Sequence, residues 1–182
     1  MTRVTLHPSI EAAPEAARPT LEAIKKQMGG VPNVFRMMAN SPAVLEAYSS
    51  LNDALGRGKL DKKIRERIAL AIAQKNGCGY CLAAHTYTGT HVTKLSIDEI
   101  AAARRGGSSD ARADAAVKFA VKVAEERGSV SEDELHAMRA AGFDDEELLE
   151  IVAHVAANTF TNYMNEVFKT EVDFPKVEHH AA

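Results

Sequence analysis

Positions 77 to 86 read GCGYCLAAHT and contain both cysteines of the chain, Cys78 and Cys81, followed by His85. Thiols three residues apart, with an imidazole four residues further on, form a set that can ionise, close a disulfide and move a proton. Three chemistries are open to it. The pair can exchange with an external disulfide, one thiol can attack an electrophile while the other resolves the product, or the three side chains can bind zinc. A fourth reading carries no chemistry: two small core residues that fall near each other.

Zinc would need Glu66 or water as a fourth ligand. One helix face arranges Cys78, Cys81 and His85 poorly for a closed tetrahedron, and the chain has no second CxxC. The redox readings ask less of the geometry. At about 100° per residue the three side chains share one helix face, with Cys81 and His85 one turn apart. Asn76-Gly77 supplies residue types that close a helix in the left-handed conformation. Cys78 therefore falls at the start of the next helix, where unpaired N–H groups favour a thiolate.

The elements that must position this set are legible on either side. The segment LDKKIRERIALAIAQKNG leads into it and, after Arg67, is apolar on every side from Ile68 to Ala73, as befits the centre of a core or an interface. Folding this helix and the next into a hairpin about Asn76-Gly77 brings Glu66 opposite the neighbourhood of His85. A partly buried carboxylate there holds the ring in one tautomer. The resulting relay has Glu66 orienting His85, His85 accepting the proton of Cys81, and Cys78 resolving. The plainer alternative for Glu66 is a solvated contact with Lys62, one turn back.

Helical pattern continues nearly throughout. Ser41-Pro42 opens one helix; Ser96 with Glu99 and Ser131 with Glu134 read as capping boxes, and Asp144 with Glu147 starts a last long helix. Glycine-rich breaks are short, so successive helices pack as neighbours. No period-2 strand pattern stands out. We expect one all-α domain over residues 1–182, with its core at about 20–168 and extended or loosely ordered ends (1–8 and roughly 170–182), built around the antiparallel hairpin. On the last helix His154, Asn158 and Asn162 recur every four residues, a polar stripe lining either the site or a subunit contact, or simply satisfied in the core. Tyr80 packs or lines the entrance. His179-His180 near the end carry no assignment.

A net charge of −3 gives no electrostatic case for nucleic acid or an anionic membrane. No apolar run approaches a membrane span, and the first residues lack the apolar core of a secretory signal, so a cytoplasmic location is expected. In that compartment a CxxC is more often catalytic or metal-binding than a structural staple.

Glu66, then Cys78-Gly-Tyr-Cys81-Leu-Ala-Ala-His85, resembles the signature of the AhpD-like alkylhydroperoxidases of the carboxymuconolactone decarboxylase superfamily. GGVPNVFRMMANSPAVLEAY upstream and NTFTNYMNEVFKTEVDFPKV near the end are similar to its peroxidase-related branch. The resemblance implies an all-helical fold assembled into trimers or hexamers, and reduction of organic hydroperoxides without haem, flavin or metal. It implies that Cys81 attacks the peroxide, that Cys78 condenses with the sulfenic acid to a disulfide, and that His85 and Glu66 form the proton relay. An external dithiol, such as a lipoyl group on a partner protein, regenerates the pair. One position departs from that branch: Tyr80 stands where it has a histidine, so one titratable group is missing. The decarboxylase branch generally lacks the cysteine pair, which argues against lactone decarboxylation. Two other readings remain: a general thiol–disulfide oxidoreductase attacking with an exposed Cys78, and a redox-sensing oligomer without turnover.

Overall fold

The chain is described here by a computed structural model covering residues 1–177. His179 and His180 lie outside the described residues. After a short 3-10 turn at Glu15–Ala17, the helices are α1 (Arg18–Met28), α2 (Asn33–Met38), α3 (Pro42–Gly56), α4 (Lys62–Lys75), α5 (Gly79–His91), α6 (Ile97–Arg104), α7 (Ala111–Glu125), α8 (Glu132–Ala140) and α9 (Asp145–Phe168). Among the described residues there is no strand. The all-α expectation holds.

The centre is α4. Ile68, Leu70, Ile72 and Ala73 are fully buried, with Ala69 and Ala71 nearly so, because α5, α6, α7 and α9 pack around it. Each such Ile or Leu contributes about 1.5–3 kcal/mol by leaving water. The apolar run from Ile68 to Ala73 thus fills the core of a single chain, and α4 is exposed only towards its two ends. A small apolar cluster joins Leu70 to Leu95, Ile100 and Ala103, and two large ones make up most of the interior. One joins Ile64, Ile68 and Ile72 to α7, α8 and α9; the other joins both cysteines and Leu82 to Leu21, Met37, Met38 and Leu45 of α1–α3.

The helix starts follow the side chains read from the sequence, with one exception. Ser131/Glu134 and Asp144/Glu147 form complete capping boxes. Ser96 accepts from the Glu99 N–H, but the Glu99 carboxylate does not return to Ser96. It accepts from Arg67 Nε at 2.8 Å, Ser108 Oγ at 2.7 Å and the Ser109 N–H at 2.8 Å. A cation and two further donors outcompete one backbone amide, so the expected box is half made, and α6 is tied to α4 instead.

The described ends are extended and held in place. The Arg3 N–H donates to Phe168 O at 2.7 Å, Asn40 Nδ2 to Thr5 O at 2.7 Å, and the Glu171 N–H to Thr2 Oγ1 at 3.0 Å. Backbone groups that find partners at this spacing give the segments fixed places without regular structure.

Candidate active site

The bend between α4 and α5 is a Schellman closure. Asn76 ends α4, Gly77 takes φ +67°, the Gly77 N–H reaches Gln74 O at 3.2 Å, and the Cys78 N–H reaches Ala73 O at 2.9 Å. Only a residue without a Cβ takes that φ freely. Cys78 then becomes the N-cap of α5: its Sγ accepts from the Cys81 N–H at 3.2 Å. One residue thus finishes α4 with its amide and starts α5 with its sulfur.

Cys78 and Cys81 are joined in a disulfide across a Cα separation of 5.3 Å. Both are buried, Cys78 at 0% and Cys81 at 4% exposure. This corrects the picture of an exposed Cys78. Being at a helix start does not put a residue in water when α1–α3 pack over that start. Of the two residues, only Cys81 keeps residual exposure.

Across the hairpin, Glu66 and His85 meet. Oε1 of Glu66 lies 2.9 Å from Nδ1 of His85, and the side chains are 10% and 30% exposed. The contact with Lys62 is not the one the carboxylate makes. With Nδ1–H donating to Glu66, Nε2 is left as the nitrogen that can accept or give a proton. The four predicted site residues are therefore brought to one hairpin: Glu66 on α4, Cys78 at the bend, Cys81 and His85 on α5. Among the described residues no three His, Cys, Asp or Glu side chains gather at metal-ligating distances.

Tyr80, between the cysteines, is a fastening. Its hydroxyl donates to Asp173 Oδ1 at 2.8 Å and accepts from the Val34 N–H at 3.2 Å, while Asp173 Oδ2 accepts from the Asn33 N–H at 2.8 Å. Phe174 meets the Tyr80 ring edge-on at 5.8 Å. Burial pushes the phenol well above the usual tyrosine range, so it stays protonated and donates. The C-terminal segment is thereby pinned over α2 and the start of α5.

Sequence reasoning missed Asn165. On α9, only 3% exposed, it directs Nδ2 at Cys81 Sγ at 3.4 Å. The polar stripe pointed towards it, but a recurrence of four leads from Asn162 to Glu166, whereas a helix face also advances by three. The stripe itself turns inward. His154, Asn158 and Asn162 are all buried. Asn162 Oδ1 accepts from Asn76 Nδ2 at the hairpin bend at 2.9 Å, and Asn158 Nδ2 bonds its own helix at His154 O at 2.8 Å. Burial, then the charge of Arg65, pushes the His154 pKa down to about 4, so its ring is neutral at pH 7. A cavity of about 220 Å³ beneath Pro8, Leu21 and Val31 includes none of these residues.

Residues 42–126, which carry the hairpin and the cysteine pair, match the carboxymuconolactone decarboxylase family. The crystal structure of an alkylhydroperoxidase AhpD core, an uncharacterized peroxidase-related protein from Ralstonia eutropha JMP134, is 30% identical. It covers 94% of this chain and 92% of its own length, with a TM-score of 0.82. The chain belongs to the carboxymuconolactone decarboxylase family and has the AhpD-like fold. A peroxidase-related protein from Silicibacter sp. TM1040 is 24% identical over 98% of this chain and 94% of that one, with a TM-score of 0.80. The debrominase Bmp8, in complex with 2,3,4-tribromopyrrole, shares the fold at 21% identity over 95% and 94%, with a TM-score of 0.74. Among curated proteins none matches the chain.

Proposed function

We propose that this protein is a thiol-dependent peroxidase that reduces organic hydroperoxides. The observation that carries the reading is the joint placement of a closed Cys78–Cys81 disulfide and a carboxylate-held His85 one turn beyond Cys81. The Cys81 thiolate attacks the terminal oxygen of ROOH. The O–O bond breaks, a sulfenic acid forms on Cys81, and the leaving alkoxide takes a proton from His85 to give ROH. The Cys78 thiolate then attacks Cys81 Sγ; hydroxide leaves, is protonated to water, and the disulfide results. An external dithiol returns two electrons by exchange. The balance is ROOH plus a dithiol giving ROH, water and a disulfide. Access favours Cys81 as the attacking sulfur, since Cys78 has no exposed surface.

A lipoyl group on a partner protein suits the reductant role, being a dithiol on a long arm. Assembly into a trimer or hexamer is part of the same reading. Leu149, Val152, Phe160, Tyr163 and Val167 are exposed on α9 and fall within one stripe about 27 Å long, an apolar face that a subunit contact would cover.

The test is steady-state consumption of cumene hydroperoxide with dihydrolipoamide, alongside Cys81→Ser and Cys78→Ser. Turnover is expected in the native chain and none in Cys81→Ser. Cys78→Ser should consume one equivalent, leave a sulfenic acid trappable on Cys81, and stall. Sulfenic acid on Cys78, or disulfide exchange without peroxide consumption, would assign the chain to general thiol–disulfide exchange. Oxidation that alters only assembly state would make it a redox sensor.

A further inference from the structure

Asn165 has one amide group with two unlike ends, both enclosed. Nδ2 points at Cys81 Sγ at 3.4 Å; Oδ1 is buried and has no hydrogen-bond partner. The orientation is the chemically sensible one. Turned over, the amide would press an oxygen against sulfur lone pairs and leave an NH₂ without an acceptor. A buried acceptor left unpaired is destabilising. The cost persists in the disulfide form, so the oxygen suits some other state of the site.

We propose that Asn165 is a catalytic residue that serves both reactive forms of Cys81: its Nδ2–H holds the thiolate, and its Oδ1 receives the O–H of the sulfenic acid. A thiolate is a charged acceptor and gains more from a buried N–H than a thiol does, so the contact favours ionisation. Once oxygen is transferred, the sulfenic group presents a sulfur acceptor beside an O–H donor. A primary amide presents a donor beside an acceptor, and one side chain can engage both. Holding the group this way keeps its sulfur turned for attack by Cys78, and keeps it protonated, so that its sulfur is a poorer nucleophile towards a second peroxide than a sulfenate would be. The ionisable groups assembled with Cys81 are Cys78, His85 with Glu66, and Tyr80 with Asp173; on α9 the adjacent Glu166 pairs with Lys169. Asn165 is thus the group on α9 that contacts the sulfur, and it is uncharged. The sulfenic half of this inference rests on the peroxidase reading; the thiolate half does not.

The experiment uses the full chain with Cys78→Ser, which leaves one thiol. Asn165→Leu and Asn165→Ala are added, and folding is checked by circular dichroism. The rate of iodoacetamide alkylation of Cys81 is followed against pH. Its midpoint should rise by about one pH unit in either variant, a tenfold loss of thiolate near neutrality. An unchanged midpoint in a folded variant overturns the thiolate role. No peroxide enters this measurement, so it decides the matter even for a chain that turns over no hydroperoxide. Should both variants unfold, the ¹⁵N side-chain amide resonance of Asn165 in the folded Cys78→Ser chain should follow the Cys81 titration; a resonance that does not move overturns the role equally. One equivalent of cumene hydroperoxide should then give a sulfenic acid that dimedone traps, and excess peroxide should convert it to sulfinic acid several-fold faster without Asn165. Equal conversion rates overturn the Oδ1 role. Failure of any sulfenic acid to form with Asn165 in place overturns the sulfenic half and, with it, the peroxidase reading.

Discussion

Glu66 Oε1 and His85 Nδ1 stand 2.9 Å apart, linking the two arms of the α4–α5 hairpin. The carboxylate is nearly enclosed, whereas the ring keeps an open side. A group held from behind and free in front is suited to passing a proton outward, and the hold fixes which nitrogen is free.

Replacing Glu66 with Gln keeps the shape and removes the charge that orients the ring. Hydroperoxide turnover is expected to fall about 10–100-fold, the usual cost of losing such a partner, with little change in the melting temperature. Imidazole ¹⁵N shifts should show His85 losing its single tautomer. Full activity with a mixed tautomer would separate the carboxylate from the chemistry.

Tyr80→Phe removes the hydroxyl but not the ring. Asp173 and the Val34 N–H each lose a partner, so a loss of about 1–3 kcal/mol is expected. Urea unfolding measures it, and faster amide exchange over residues 171–174 should accompany it. A stability equal to the native chain would mean the fastening is idle.

His154 makes stability depend on pH. Its folded pKa, about 4, lies below the ordinary 6.5. Between those values the unfolded chain binds a proton that the folded chain refuses. The contribution is complete above pH 6.5 and is lost as pH falls towards 4. From pH 7 to 5 it amounts to about 2 kcal/mol. Urea midpoints at the two pH values should diverge in the native chain and draw together in His154→Leu.

Glu99 acts in a lower window. Hydrogen bonds from Ser109 and Ser108, then Arg67, hold its carboxyl at about 2 against an ordinary 4.5. A depressed carboxylate stabilises above the unfolded value and ceases to do so as pH falls through the folded one. Glu99→Gln should cost about 1–3 kcal/mol at pH 7, and the difference from the native chain should shrink between pH 4.5 and 2. Denaturation curves across that range check it; a constant difference would point to packing instead of charge.

The sequence made the hairpin readable because each of its parts is local. A continuous apolar run marks α4, Asn76-Gly77 marks the bend, and fixed spacing within one helix relates Cys78, Cys81 and His85. Pairing Glu66 with His85 took only the symmetry of an antiparallel turn. What was hidden depends on chain segments far apart. Burial of Cys78 follows from α1–α3, the Tyr80 fastening from Asp173 some 93 residues on, and the contact with Cys81 from Asn165, 84 residues on. The Glu99 carboxylate illustrates the same limit in reverse: a local rule assigned it to Ser96, and Arg67, Ser108 and Ser109 took it instead.

Because Cys78 caps α5 as well as sharing a disulfide, its substitutes are not equivalent probes. A hydroxyl in its place still offers an oxygen to the Cys81 N–H in the first turn of the following helix; a methyl offers nothing and leaves that amide stranded. An alanine replacement therefore confounds a missing resolving thiol with a weakened elbow, whereas serine isolates the former. Evolution faces the same coupling, since any change that retires this sulfur must also re-engineer the corner it braces.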